Sequence, residues 1–242
     1  MRRITIVLCA LALAACSQEH APSEKLAEEA TDIVKAAAGE EEAPAASPGP
    51  WAPRDECGEL ADAAPFLAML RGAIAARDAK ALGGLVADDV QLDFGGGAGR
   101  AELLARLETP EGLNWDTLAQ MMTLGCAANA QGGITIPWYF AQDIPVDPYA
   151  GAIVTGQNVP IYQQPRAEAL VTDHLSWDAV EVVYDDAARV EGWRQIRIPA
   201  TEDEPESTGW IENDKLRAII DYRLIASSRN GRWRITSLIA GD

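Results

Sequence analysis

Two periodicities divide the chain. Over residues 51–150 apolar side chains recur at three- and four-residue spacing, and Phe66, Leu70, Ala73 and Ile74 trace the buried stripe of a helix that begins at Ala64-Pro65. Asp78 is placed to cap a second helix running through Leu82 and ended by Gly83-Gly84. Asn114 is placed to cap another, with Trp115, Leu118, Ala119 and Met122 on one face and Gly125 as its stop. Between them Val90-Gln91-Leu92-Asp93-Phe94 alternates as a strand, a glycine-rich turn follows, and Gly99-Arg100-Ala101-Glu102-Leu103-Leu104 opens a third helix. Over residues 151–218 the period falls to two. Ile153-Val154-Thr155 is followed by a Gly156-Gln157-Asn158 turn and by Val159 and Ile161. Val180, Val182 and Tyr184 alternate against Glu181, and Trp193, Gln195 and Arg197 alternate against Ile196 and Ile198. Residues 219–242 read as a hairpin turned at Asn230-Gly231, with Trp233, Ile235, Ser237 and Ile239 on the return strand. One-sided helices need a covering layer, so this hairpin is expected to pack on the 51–150 block with the strand-rich segment held between.

The order of Val154-Thr155-Gly156 with Asn158-Val159, the Pro165 turn, a valine-rich strand, Gly192-Trp193 and Gly209-Trp210-Ile211 resembles the bacterial Src-homology-3-like domain (SH3b). Where that family continues its first turn asparagine, valine, asparagine, valine, arginine, this chain reads Asn158-Val159-Pro160-Ile161-Tyr162. The resemblance implies a small SH3-like β-barrel over residues 151–218 and recognition of peptidoglycan or peptide. The helix, helix, strand, glycine turn, Gly-Arg-helix order of residues 64–108, closed by a C-terminal hairpin ending Trp233-Arg234-Ile235-Thr236-Ser237-Leu238, is similar to the cone-shaped α+β fold of nuclear transport factor 2-like and ketosteroid-isomerase-like proteins. The expected class is therefore α+β: a helical N-terminal block plus a C-terminal β-hairpin, with the barrel between them.

The first residues set an expected compartment. Arg2 and Arg3 precede an apolar run to Ala15, a signal-peptide pattern over residues 1–15 that is too short to span a bilayer. Its end, Leu13-Ala14-Ala15-Cys16, resembles a bacterial lipobox, which implies cleavage before Cys16 and acylation of that cysteine as a membrane anchor. Ser17 resembles the sorting pattern of Gram-negative lipoproteins bound for the outer membrane, facing the periplasm. Residues 16–50, rich in Ala, Glu, Pro and Ser, are expected to form a disordered tether. The chain has 20 Lys plus Arg against 37 Asp plus Glu, net −17. Such a surface repels phosphate polymers, so nucleic acid is not an expected partner.

Cys9 would leave with the signal and Cys16 would be acylated, which leaves Cys57 and Cys126 to pair as a disulfide in an oxidising envelope. No cofactor or metal is expected, since the folded part carries one histidine, His174, and the run Glu202, Asp203, Glu204, Glu206 lacks calcium-loop spacing. Gly95-Gly96-Gly97-Ala98-Gly99 lacks the lysine and hydroxyl of a nucleotide loop. Trp193 and Trp210, each after a glycine on a strand, are expected in the core. Tyr162 and Trp177, placed in turns, are the ligand-binding candidates. The expected function is that of a non-enzymatic binding module for a cell-wall or periplasmic protein ligand. The alternative is a small-molecule-binding or isomerase-like cone, which requires a deep apolar pocket around a buried carboxylate such as Asp93. A third reading makes the folded part a scaffold subunit of an envelope complex.

Overall fold

In the computed structural model, residues 48–185, 189–202 and 204–241 are described, so the signal, Cys16 and nearly all of the tether lie outside the described residues. The first elements in chain order are α1 (Ala63–Ala75), α2 (Ala79–Gly83), β1 (Val86–Gln91), α3 (Arg100–Arg106), α4 (Trp115–Met121), β2 (Ala127–Ala128) and β3 (Ile134–Ile136). They are followed by β4 (Gly151–Val154), β5 (Val159–Tyr162), β6 (Val171–Leu175), β7 (Ala179–Val182), β8 (Arg189–Val190), β9 (Trp193–Ile198), β10 (Ser207–Glu212) and β11 (Leu216–Ala218). The chain ends in β12 (Arg223–Arg229) and β13 (Arg232–Ile239). The fold is mixed α+β. No helix among the described residues is long and apolar enough to cross a membrane.

A five-stranded sheet runs β1-β13-β12-β3-β2, with β1 parallel to β13 and the other pairs antiparallel. The closing hairpin therefore joins strands drawn from residues 86–136. Its inward positions, Leu224, Ala226, Trp233, Ile235 and Leu238, share one core with Phe66, Leu70, Leu103, Trp115 and Leu118 of the helices. The helix starts are capped as their sequence suggests: the Asp78 carboxylate accepts from the amides of Lys80 and Ala81 at 3.0 and 2.9 Å, and Asn114 Oδ1 accepts from Thr117 N at 2.9 Å. The strand expected over residues 90–94 begins earlier, at Val86, and ends at Gln91. Asp93 then turns the chain back by accepting from Gly97 N at 2.7 Å, leaving Phe94 exposed.

The second sheet runs β11-β4-β7-β9-β10-β5-β6, with β8 against β9. β4 and β5 act as one strand bent at Gly156 and lie along a second bent strand made of β6 and β7. Ile153 pairs with Ala179 and Val159 with Leu175, and Trp177 N donates to Gly156 O at 3.0 Å across the bend. Because β5 also pairs with β10, the sheet curls around its own core of Val154, Ile161, Val180, Ile196 and Ile211. Gly209 is required at one inward position, where a Cβ would stand 2.3 Å from Ile161 Cγ2. The two sheets are joined by a third cluster in which Leu124, Trp138 and Tyr139 pack with Ile153 and Ile219.

Cys57 and Cys126 stand at disulfide distance, with Cα atoms 5.8 Å apart and 69 positions between them in sequence. Backbone bonds hold both ends of this link: Cys126 N donates to Arg54 O at 2.7 Å, and Glu56 N to Cys126 O at 2.8 Å.

Candidate functional site

Alternation on short strands decides which side chains of the curled sheet face water. Ile161, Ile196 and Ile211 are fully buried, so Tyr162, Trp193, Gln195 and Trp210, one position out of phase, face outward. Register gathers them, since Trp210 lies across from both Tyr162 and Gln195, and Trp193 across from Glu212. The rings of Tyr162 and Trp193 meet edge to face, with centroids 5.2 Å apart at 88°. All three aromatics are half-buried. The strip continues onto the outer strand β6 through Val171, which is 37% exposed and is the partner of Tyr162.

On the other side of β9 from this face a cleft of about 250 Å³ opens between β4, β7, β8 and β9, lined by Val182, Tyr184, Arg189, Arg194 and Asn213 among others. Arg194, across from the inward Ile211, donates from Nη1 to the Trp193 carbonyl at 2.8 Å. The half-buried rings on the outer face suit a ligand with flat apolar faces.

Of the two residues expected to touch ligand, Tyr162 belongs to this face, although it lies on a strand rather than in a turn. Trp177 does not belong to it. It sits at φ 54° beyond the opposite end of β6, its carbonyl accepts from Trp51 N at 3.0 Å, and its ring packs with the cluster that joins the two sheets. Gly49 comes so near that a Cβ there would stand 1.5 Å from the Ser176 carbonyl oxygen, so the incoming chain covers that turn. Trp193 and Trp210, expected inside, are the outward residues instead. The signal was in the sequence, because both fall out of phase with Ile196 and Ile211.

His174 is exposed on β6, its amide donating to the Asp173 carboxylate at 2.7 Å. Asp93 is far from a general base. The Arg106 guanidinium 2.7 Å away, with the Gly97 amide, holds its carboxyl below the usual range, and Arg106 also grips Glu102. Asp55, Cys57 and Cys126 place three donor atoms within 4.8 Å, the one grouping among the described residues that could ligate a metal, but the two sulfurs face each other. Asp55 is otherwise engaged, accepting from Cys57 N at 3.1 Å and pairing with Arg71 at 3.5 Å.

No family model and no curated protein matches the chain. Among solved structures, a protein from Xanthomonas campestris described as a calcium/calmodulin dependent protein kinase II association domain aligns at 11% identity over 74% of this chain and 86% of its own, with a TM-score of 0.22. At that score the likeness carries neither family nor function.

Proposed function

We propose that this chain is a cell-envelope lipoprotein, anchored through Cys16 and facing the periplasm from the outer membrane, that binds cell-wall polymer without catalysing a reaction. The binding module is the curled sheet of β4–β11, read as a diverged SH3-like barrel: two bent strands close it, and its interior is aliphatic. The observation that carries this reading is the outward row of Tyr162, Trp193 and Trp210. Rings held open on a sheet face cost exposed apolar surface, which a ligand that stacks on them recovers. Sugar rings of a glycan strand present such faces.

The cone-type alternative draws less support. A general base in its pocket needs a carboxyl raised by burial, and Asp93 is shifted the other way by Arg106.

Co-sedimentation with purified cell-wall sacculi tests the proposal. The wild-type chain is expected in the pellet, and Trp193→Ala with Trp210→Ala is expected in the supernatant. Trp177→Ala, measured at a temperature where its fold persists, should still pellet. A wild-type chain that stays soluble would remove the cell-wall reading.

A further inference from the structure

Four arginines line one cleft of about 210 Å³ where β1, β12 and β13 meet the start of α3: Arg100, Arg229, Arg232 and Arg234, with the hydroxyls of Ser227 and Thr236 among them. In a chain with 37 acidic residues against 20 Lys plus Arg, cations gathered in one place stand out against the overall charge. The one carboxylate lining the cleft, Asp88, lies 2.7 Å from Arg100, whose Nη2 also donates to the Val86 carbonyl at 2.8 Å. Arg234 gives one donor to the Trp233 carbonyl at 2.9 Å. Among the described residues no carboxylate pairs with Arg229, Arg232 or Arg234. Arg229 and Arg232 are moreover direct cross-strand partners beside the Asn230-Gly231 turn, a like-charge pairing that destabilises a hairpin unless an anion sits between.

The same strand segment also borders a second cleft, of about 230 Å³, on the side of β13 where Trp233 packs against α1: Pro65, Phe66 and Met69 line it with Trp233, Arg232 and Arg234. Met69, 56% exposed, and the exposed Pro65 give this cleft its open apolar surface. Asp62 borders this second cleft and not the first. The segment from Arg232 to Arg234 thus stands between a cationic notch and an apolar groove.

We propose that this edge of the five-stranded sheet binds a phosphate group carried on an apolar chain, as in a phospholipid. The phosphate oxygens take the guanidinium groups of Arg229, Arg232 and Arg234, which present planar donor forks suited to phosphate, and the hydrocarbon passes round the strand edge to lie along Met69 and Pro65. The site is remote in sequence from the aromatic face and stands whether or not that face binds cell wall.

Isothermal titration of the full chain carrying Cys16→Ser with three water-soluble probes tests it: dihexanoyl phosphatidic acid, dihexanoyl phosphatidylcholine and glycerol 3-phosphate. Phosphatidic acid is expected to bind tightest. The Arg229→Gln/Arg232→Gln double variant should weaken it by about tenfold or more, as loss of charge-assisted hydrogen bonds does. Both arginines are exposed, and a melting temperature at or above that of the wild type will confirm that the variant is folded. Met69→Ser should weaken phosphatidic acid and leave glycerol 3-phosphate unchanged. Equal affinity for glycerol 3-phosphate would reduce the site to a free-anion site and overturn the lipid assignment. Absent binding, equal affinity for phosphatidylcholine, or an unaffected double variant would overturn the site altogether.

Discussion

Tyr139 shows how the two sheets are locked together. Burial pushes its phenol up to about 12, while Arg217, on β11, donates from Nε to its oxygen at 2.9 Å and pairs with Asp221 at 3.0 Å. A raised folded pKa for an acid means that the unfolded chain loses its proton first. Stability is therefore flat below the ordinary tyrosine value of 10.0 and declines as pH rises from there towards about 12. Tyr139→Phe should cost about 1–3 kcal/mol at neutral pH, because it strands a donor of the nearly buried Arg217, and should flatten the alkaline decline. Denaturant unfolding at pH 7, 10 and 11.5 checks both. Asp93 carries the opposite sign. Its folded pKa is lowered, first by the Arg106 hydrogen bond, so its contribution is present above the ordinary value of 3.8 and is lost as pH falls through the folded value. Asp93→Asn should remove that acid-side dependence and loosen the turn at Gly97, read as a smaller fall in stability between pH 5 and pH 3, a window set by the ordinary carboxylate range.

The elements were legible where local chemistry was strong. Asp78 and Asn114 announced their caps. Asn230-Gly231 announced a hairpin whose two turn residues take φ of 53° and 70°. Glu181 between valines marked β7. The first strand starts earlier than the alternation from Val90 indicates, because the polar pair Asp88-Asp89 lies exposed on an outer strand whose inward positions are Val86 and Val90. Nothing local indicated that β4 and β5 would run as one bent strand, since that depends on pairing with β6 and β7 some twenty residues on. The tryptophans were placed inside because a glycine precedes each one. The curled sheet leaves its interior only aliphatic space, and Gly209 already stands against Ile161. Gly209→Ala should accordingly overpack that interior and cost about 1–3 kcal/mol, measured by urea unfolding. The link across Cys57 and Cys126 closes a separation of 69 residues, so Cys57→Ser/Cys126→Ser should destabilise by roughly 2–5 kcal/mol on the same assay. The unreduced chain should titrate no thiol at these two positions.

The whole molecule is an acidic chain whose distinctive surfaces run against its average. Net charge of −17 makes it a poor partner for polyanions in general, yet arginines are concentrated at the edge of the five-stranded sheet. The aromatic strip is the proposed ligand surface. A titration of the Cys16→Ser chain with soluble peptidoglycan fragments, observed through the indole N–H signals of its tryptophans by NMR, tests it. The signals of Trp193 and Trp210 should shift together and saturate, while those of the buried Trp115, Trp138 and Trp233 stay in place. Shifts at the buried tryptophans with none at Trp193 and Trp210, or no shift at any ratio of fragment to protein, would contradict it.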